Sequence, residues 1–133
     1  MDFTGIIAEY DPFHNGHAAQ IAAVRAAGAQ CIAVCMSSGA VQRGGVPILP
    51  ERVRVQTALA ARADIVIALP APYACATAEQ FAAAGVYLLA ALGCDTLAFG
   101  AEAPDPGALL DAARLLQCEE IDDVIRKNLA TRM

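Results

Sequence analysis

Two stretches of the chain, Cys31 to Met36 (CIAVCM) and Asp64 to Leu69 (DIVIAL), are apolar almost without interruption. A strand with one wet face alternates apolar and polar residues, so runs like these imply strands covered on both faces. Parallel strands need a crossover, and the segments between the runs carry helical periodicity that can supply it. The expected fold class is therefore α/β, a parallel sheet flanked by helices.

The remaining segments fit that frame. Phe3 to Ala8 (FTGIIA) reads as a first strand, followed by turn chemistry at Asp11-Pro12 and His14-Asn15-Gly16-His17. Ile21 and Val24 set one face of a helix from about Gly16 to Ala27, which Gly28 ends. The second strand runs into a polar, glycine-rich loop, Ser37 to Gly45. Pro50 and Glu51 suit the first turn of a helix reaching about Arg62. Phe81, Gly85, Leu88, Leu89 and Leu92 form one apolar stripe on a helix from Ala78 to Leu92, closed by Gly93. Thr96 to Phe99 is a fourth strand, and two short helices follow at Ala108 to Leu116 and Glu119 to Leu129. The 133 residues are expected to form one domain, with a core over about 1–104 and C-terminal helices over 105–133. The apolar face of the last helix either folds back onto the sheet or meets further material.

In open parallel sheets ligands sit beyond the carboxyl ends of the strands. The loops Glu9 to His17, Ser37 to Gly45, Pro70 to Thr77 and Gly100 to Pro104 should therefore share one rim, and the site is expected there.

Charge limits what that site meets. Nine Lys and Arg against fourteen Asp and Glu give a net charge of −5, the wrong sign for gripping a nucleic-acid backbone unaided. With 57% hydrophobic and 17% charged residues the chain is not disordered, and no apolar run is long enough to span a bilayer. Five cysteines without a CxxC pair, and no basic segment leading into an apolar signal core, point to a reduced, cytoplasmic protein. Cys31 and Cys35 are expected as small buried hydrophobes rather than metal ligands.

His14 and His17 are the only histidines, and both fall where the first loop enters its helix. A helix N-terminus exposes unpaired N–H groups and a partial positive charge, so it attracts phosphate, and two imidazoles one turn apart can face the same group. They could donate hydrogen bonds to a triphosphate and stabilise charge as a phosphorus–oxygen bond breaks. Two blander readings stay open: the histidines cap or pack the helix, or they bind a metal as an i, i+3 pair. No third metal ligand set is persuasive, although Asp11 could hold a Mg²⁺ arriving with a nucleotide.

GIIAEYDPFHNGH (Gly5 to His17), VQRG (Val41 to Gly44), ADIVIALPAPYA (Ala63 to Ala74), AEQFA (Ala78 to Ala82) and LGCDTLAFGAE (Leu92 to Glu102) together resemble successive signatures of the bacterial tRNA(Met) cytidine acetate ligase family. That family belongs to the HIGH-type nucleotidyltransferase superfamily, so the resemblance implies a Rossmann-like fold. It also implies activation of acetate with ATP to acetyl-adenylate, then transfer of the acetyl group to the exocyclic amine of the wobble cytidine of elongator tRNA(Met). It places ATP against Ile7, Ala8, Glu9, Tyr10, Asp11, Pro12, Phe13, His14, Asn15, Gly16, His17, Ala18, Ala19 and Gln20, and against Gly100; Mg²⁺ is expected to accompany the nucleotide. His14 and His17 would be the catalytic pair on the phosphates. Gln42, Arg43 and Arg54 become candidate phosphate or RNA contacts; Arg43 and Arg54 could equally be solvated surface charges.

Departures from the family pattern carry expectations of their own. Asp11 stands where the family has asparagine and should weaken ATP binding unless a metal or proton compensates. Ser38-Gly39-Ala40 and Pro50-Glu51-Arg52 also depart, the latter losing a lysine near the rim. Family members are much longer, and their later portion adds further ATP contacts and most of the tRNA surface. The chain is thus expected to be the N-terminal ATP-binding part, meeting tRNA(Met) only within a longer chain. Two other readings remain: a nucleotidyltransferase for another small acid or phosphate, and a degenerate nucleotide-binding module.

Overall fold

The computed structural model describes residues 3–42, 44–101 and 105–118. The chain divides into two compact units, Met1–Gly100 and Ala101–Met133. In the first, the order is β1 (Phe3–Ala8), α1 (Asn15–Ala26), β2 (Cys31–Ser37), α2 (Glu51–Ala60), β3 (Ile65–Leu69), α3 (Ala71–Ala74), α4 (Ala78–Leu92) and β4 (Thr96–Leu97). The strands form one parallel sheet in the order β3-β2-β1-β4. The second unit contributes α5 (Pro106–Leu116).

The unbroken apolar runs are explained by alternation across two buried faces. Ile6, Ile32, Val34 and Met36 pack with Ile21 of α1 and Ala58 of α2. Ala33, Cys35 and Leu69 pack on the opposite face with Leu89 of α4, joined by Ile7, Phe81 and Leu88. Each buried Ile or Leu contributes about 1.5–3 kcal/mol, so this double-sided interior, rather than surface pairing, stabilises the unit. Burial pushes the Cys35 thiol up to about 11, which keeps it protonated and inert. α4 lies unusually close to the sheet: a Cβ on Gly85 would stand 2.7 Å from Ile7 Cδ1, and one on Gly5 would stand 2.7 Å from Leu89 Cδ1.

Several boundaries differ from the sequence reading. α2 stops at Ala60 rather than Arg62, because Ala61 closes it and Arg62 adopts a left-handed φ of 74°. α5 begins two residues early, where Asp105 caps it through a 2.9 Å hydrogen bond from Gly107 N. α3 is a single turn inside the expected Pro70 to Thr77 loop. β4 is shorter than Thr96 to Phe99, although Ala98 N still donates to Gly5 O at 2.9 Å. Leu92, at the end of the α4 stripe, is exposed. The expected helix from Glu119 to Leu129 lies outside the described residues.

At the end of the sheet where β2 and β3 begin, one arginine joins three elements. Arg25 Nη1 donates to the carbonyls of Ala29 and Gln30, and Nη2 to Arg62 O and Asp64 Oδ2. Asp64 Oδ2 also accepts from Ile32 N at 2.7 Å. Burial works to raise the Asp64 pKa, but the hydrogen bonds from Arg25 and Ile32, with the Arg25 charge, outweigh it and hold the carboxyl below its usual value.

Candidate nucleotide site

Beyond the end of β1 the chain turns sharply. Tyr10 takes a φ of 51°, a left-handed conformation costing about 1–2 kcal/mol for a residue with a side chain. Its ring offsets that cost: it is 1% exposed, packs edge-on to Phe13 with centroids 4.8 Å apart, and backs His17 at 4.8 Å. The same burial pushes its hydroxyl up to about 12, so it stays protonated.

His14 is the N-cap of α1, and Gly16 N donates to its Nδ1 at 3.1 Å. His17 reciprocates, its Nδ1 accepting from His14 N at 3.3 Å. This is a capping box built from two imidazoles instead of the usual hydroxyl and carboxylate. Because each Nδ1 accepts a backbone N–H, the hydrogen bonding assigns both neutral rings the Nε2–H tautomer. The rings stack at 3.7 Å with 21° between planes. Burial, and secondarily the His14 charge, lower the His17 pKa. Two Nε2–H donors therefore sit side by side at a helix N-terminus. The capping reading of these histidines is realised, and it uses only Nδ1, leaving Nε2 of each ring without a protein partner among the described residues. A glycine is required between them: a Cβ at Gly16 would stand 2.9 Å from His14 Cε1.

The two carboxylates of the first loop tie down the second. Glu9 Oε1 accepts from Gln42 N at 2.5 Å, and Asp11 Oδ1 from Ile48 N at 2.6 Å. The polar loop after β2 is thus drawn to the first by backbone amides.

An open cavity of about 480 Å³ lies on this rim. Ile7, Ala8, Glu9, Tyr10, Asp11, Pro12, His14, His17 and Gln20 line it, together with Gly100 from the segment that follows β4. Phe13, Asn15, Gly16, Ala18 and Ala19, inside the same stretch, do not line it; Phe13 packs against Tyr10 and His17, and Asn15, Gly16 and Ala19 face solvent. Phe99 lines it too, and sequence reasoning missed it. An aromatic next to Gly100 in the sequence is the signal that was available. Gln42 reaches the rim through its backbone, and Arg43 lies outside the described residues. Arg54 corrects the surface-charge alternative: it is 0% exposed, because α2 turns that position toward the sheet, and Nη1 donates to Glu9 O and Ser37 O. A cavity of the same volume between α3 and α4, lined by Tyr73, Gln80 and Tyr87 among others, carries no carboxylate, histidine or cation and offers nothing for phosphate. Among the described residues no cluster of three His, Cys, Asp or Glu is placed to hold a metal, and no helix is long and apolar enough to cross a membrane.

The model of the HIGH nucleotidyl transferase family matches residues 1–133. The chain belongs to that family. Among its relatives, the tRNA(Met) cytidine acetate ligase of Syntrophotalea carbinolica is 44% identical over 132 residues, covering 98% of this chain and 31% of the relative. That of Latilactobacillus sakei is 49% identical over 105 residues, covering 78% and 27%. A crystal structure of Thermotoga maritima TmcAL bound with alpha-thio ATP matches with a TM-score of 0.88 and 32% identity, over 98% of this chain and 33% of that one. The chain therefore spans about a third of the length of the curated relatives it matches. The nucleotidyltransferase fold and the likeness to the acetate ligases expected from the motifs are both shown.

Proposed function

We propose that this chain is the ATP-binding part of a tRNA(Met) cytidine acetate ligase, and that the rim cavity receives the nucleotide. The observation that carries the reading is the stacked histidine pair, with both Nδ1 atoms tied to backbone and both Nε2–H groups left to donate. The similarity to an enzyme crystallised with an ATP analogue supports it.

In the proposed reaction a carboxylate oxygen of acetate attacks the α-phosphorus of ATP, forming acetyl-adenylate and expelling pyrophosphate. The exocyclic amine of the wobble cytidine of tRNA(Met) then attacks the acetyl carbonyl, loses a proton and releases AMP. The protein supplies no nucleophile. His14 and His17 stabilise the negative charge that grows on the phosphate oxygens as the bond to pyrophosphate breaks, aided by the start of α1. Neutral donors suit this task, since two imidazoliums stacked at 3.7 Å would repel each other. Mg²⁺ is held by one or two carboxylates plus substrate phosphates, and Glu9 and Asp11, both lining the cavity, fit that donor set. The ion would offset their charge beside the triphosphate. The acidic balance of the chain supports a reading in which tRNA contact needs a longer protein, and we place the reaction in the cytoplasm.

Calorimetry with ATP and Mg²⁺ tests the reading. The wild-type chain should give a binding heat that His14→Ala plus His17→Ala abolishes, and equal heats would remove the phosphate site. Pyrophosphate release screened against acetate and other short carboxylates then fixes the acid; dependence on a different acid would displace acetate.

A further inference from the structure

Arg54 is a buried cation that forms no ion pair among the described residues, and its Nε and Nη2 have no protein partner there. An apolar side chain of similar volume would hold α2 against the sheet at lower cost, so the guanidinium needs another explanation. The β1–β2 ladder ends at the pair Ala8 and Met36. One residue further on, where the two strands part into the site loops, Arg54 Nη1 donates to Glu9 O at 2.7 Å and Ser37 O at 3.0 Å. It continues the pairing with a single bridging donor. The carbonyl it holds belongs to the peptide that enters Tyr10, the left-handed residue whose ring backs His17.

We propose that Arg54 is the positioning residue of the phosphate turn: by fixing the Glu9 carbonyl it sets the Tyr10 backbone, and through the Tyr10 ring it sets the stacked His14–His17 pair. Resting on the nucleotide reading above, this replaces direct phosphate or RNA contact by Arg54 with action through the backbone.

The test compares wild type, Arg54→Met and Arg54→Lys in the 133-residue chain, with folding followed by circular dichroism. Binding of ATP and of adenosine is measured for each, along with the imidazole NMR signals without ligand. Misplaced donors weaken polyphosphate recognition alone, so Arg54→Met should bind ATP about ten- to a hundredfold more weakly and adenosine unchanged. Arg54→Lys, which keeps the charge and can reach one carbonyl, should fall between. Parallel weakening of both ligands, or an unchanged ratio of affinities, overturns the proposal. If Arg54→Met does not fold, the ratio for Arg54→Lys decides: lowered sustains the proposal, unchanged overturns it. Failure of the wild-type chain to bind ATP would instead refute the nucleotide reading. In that case the NMR signals decide, since they must move in the Arg54 variants if this arginine orders the pair.

Discussion

Gly16→Ala separates the structural work of the histidine pair from its chemical work. The new methyl would stand 2.9 Å from His14 Cε1 and 3.1 Å from Nδ1, closer than side chains pack, so the ring must swing away. Loss of the cap costs about 1 kcal/mol. Replacing glycine by alanine inside a helix returns up to about 1 kcal/mol, and less in the first turn. The two nearly cancel, and thermal unfolding should shift by only a few degrees. Binding has no such compensation. A hydrogen bond to a charged group is worth about 1.5–3 kcal/mol, so displacing His14 Nε2–H should weaken ATP by about 10- to 100-fold. Paired calorimetry and thermal melts read both quantities. Wild-type affinity in a folded Gly16→Ala variant would refute the assignment of Nε2 to phosphate, and so would an affinity loss that merely follows unfolding.

Other substitutions probe the surroundings. Gly85→Ala pushes a methyl to 2.7 Å from Ile7 Cδ1, and overpacking of about 1–3 kcal/mol should exceed the helix-propensity gain; a raised urea midpoint would contradict that. Asp11→Asn keeps an oxygen for Ile48 N and removes the charge, so without Mg²⁺ ATP should bind a few-fold more tightly, and no change in calorimetry would show that Asp11 is remote from phosphate. Arg25→Met removes the staple, leaves carbonyls short of donors and should cost roughly 1–2 kcal/mol. Because the folded Asp64 pKa is depressed, its stabilising contribution is present above the unfolded value of 3.8 and is lost as pH falls through the folded value, a loss that melts of Arg25→Met should show diminished. His17 has a lowered folded pKa, so its contribution to stability is complete above the unfolded value of 6.5 and declines on acidification, checked by an NMR titration. Because phosphate is assigned to the Nε2–H of the neutral ring, whose Nδ1 accepts a backbone amide, ATP binding on the acid side of neutrality should release protons; heats independent of buffer ionisation enthalpy would contradict this.

How much of this was legible depended on which force set each feature. Burial on both faces writes itself into the chain as unbroken apolar runs, and β1 was read to the residue while β2 extended by one, Ser37, beyond the apolar run. α4 was equally plain, with Thr77 capping it and Gly93 closing it in the left-handed conformation. α3 was not, because the Pro70-Ala71-Pro72 run reads as loop, and a single turn is too short to show a period. Within the stretch Ile7 to Gln20, the motif located the cavity but not which side chains line it. Phe13 packs against Tyr10 and His17 instead of lining the cavity, and no local pattern announces that placement. Arg52 and Arg54 look alike in sequence, yet one is exposed and the other buried. The signal lay in spacing: Arg54 is one turn before Ala58, on the only fully buried face of α2.

The histidine pair shows why a structural and a chemical reading of one motif need not compete. A serine–glutamate capping box satisfies the same two amides, but its groups are acceptors, and a carboxylate at this rim would repel phosphate. Imidazole has two nitrogens with opposite roles in the neutral ring. Accepting through Nδ1 closes the helix, and the same hydrogen bond forces the proton onto Nε2, so the cap itself creates the donor. Protonation would put a hydrogen on Nδ1 and break both functions together. Stability and nucleotide affinity should then respond to substitutions at His14, Gly16 and His17 through one hydrogen-bonded unit, with Gly16→Ala as the variant that spares the first and removes the second.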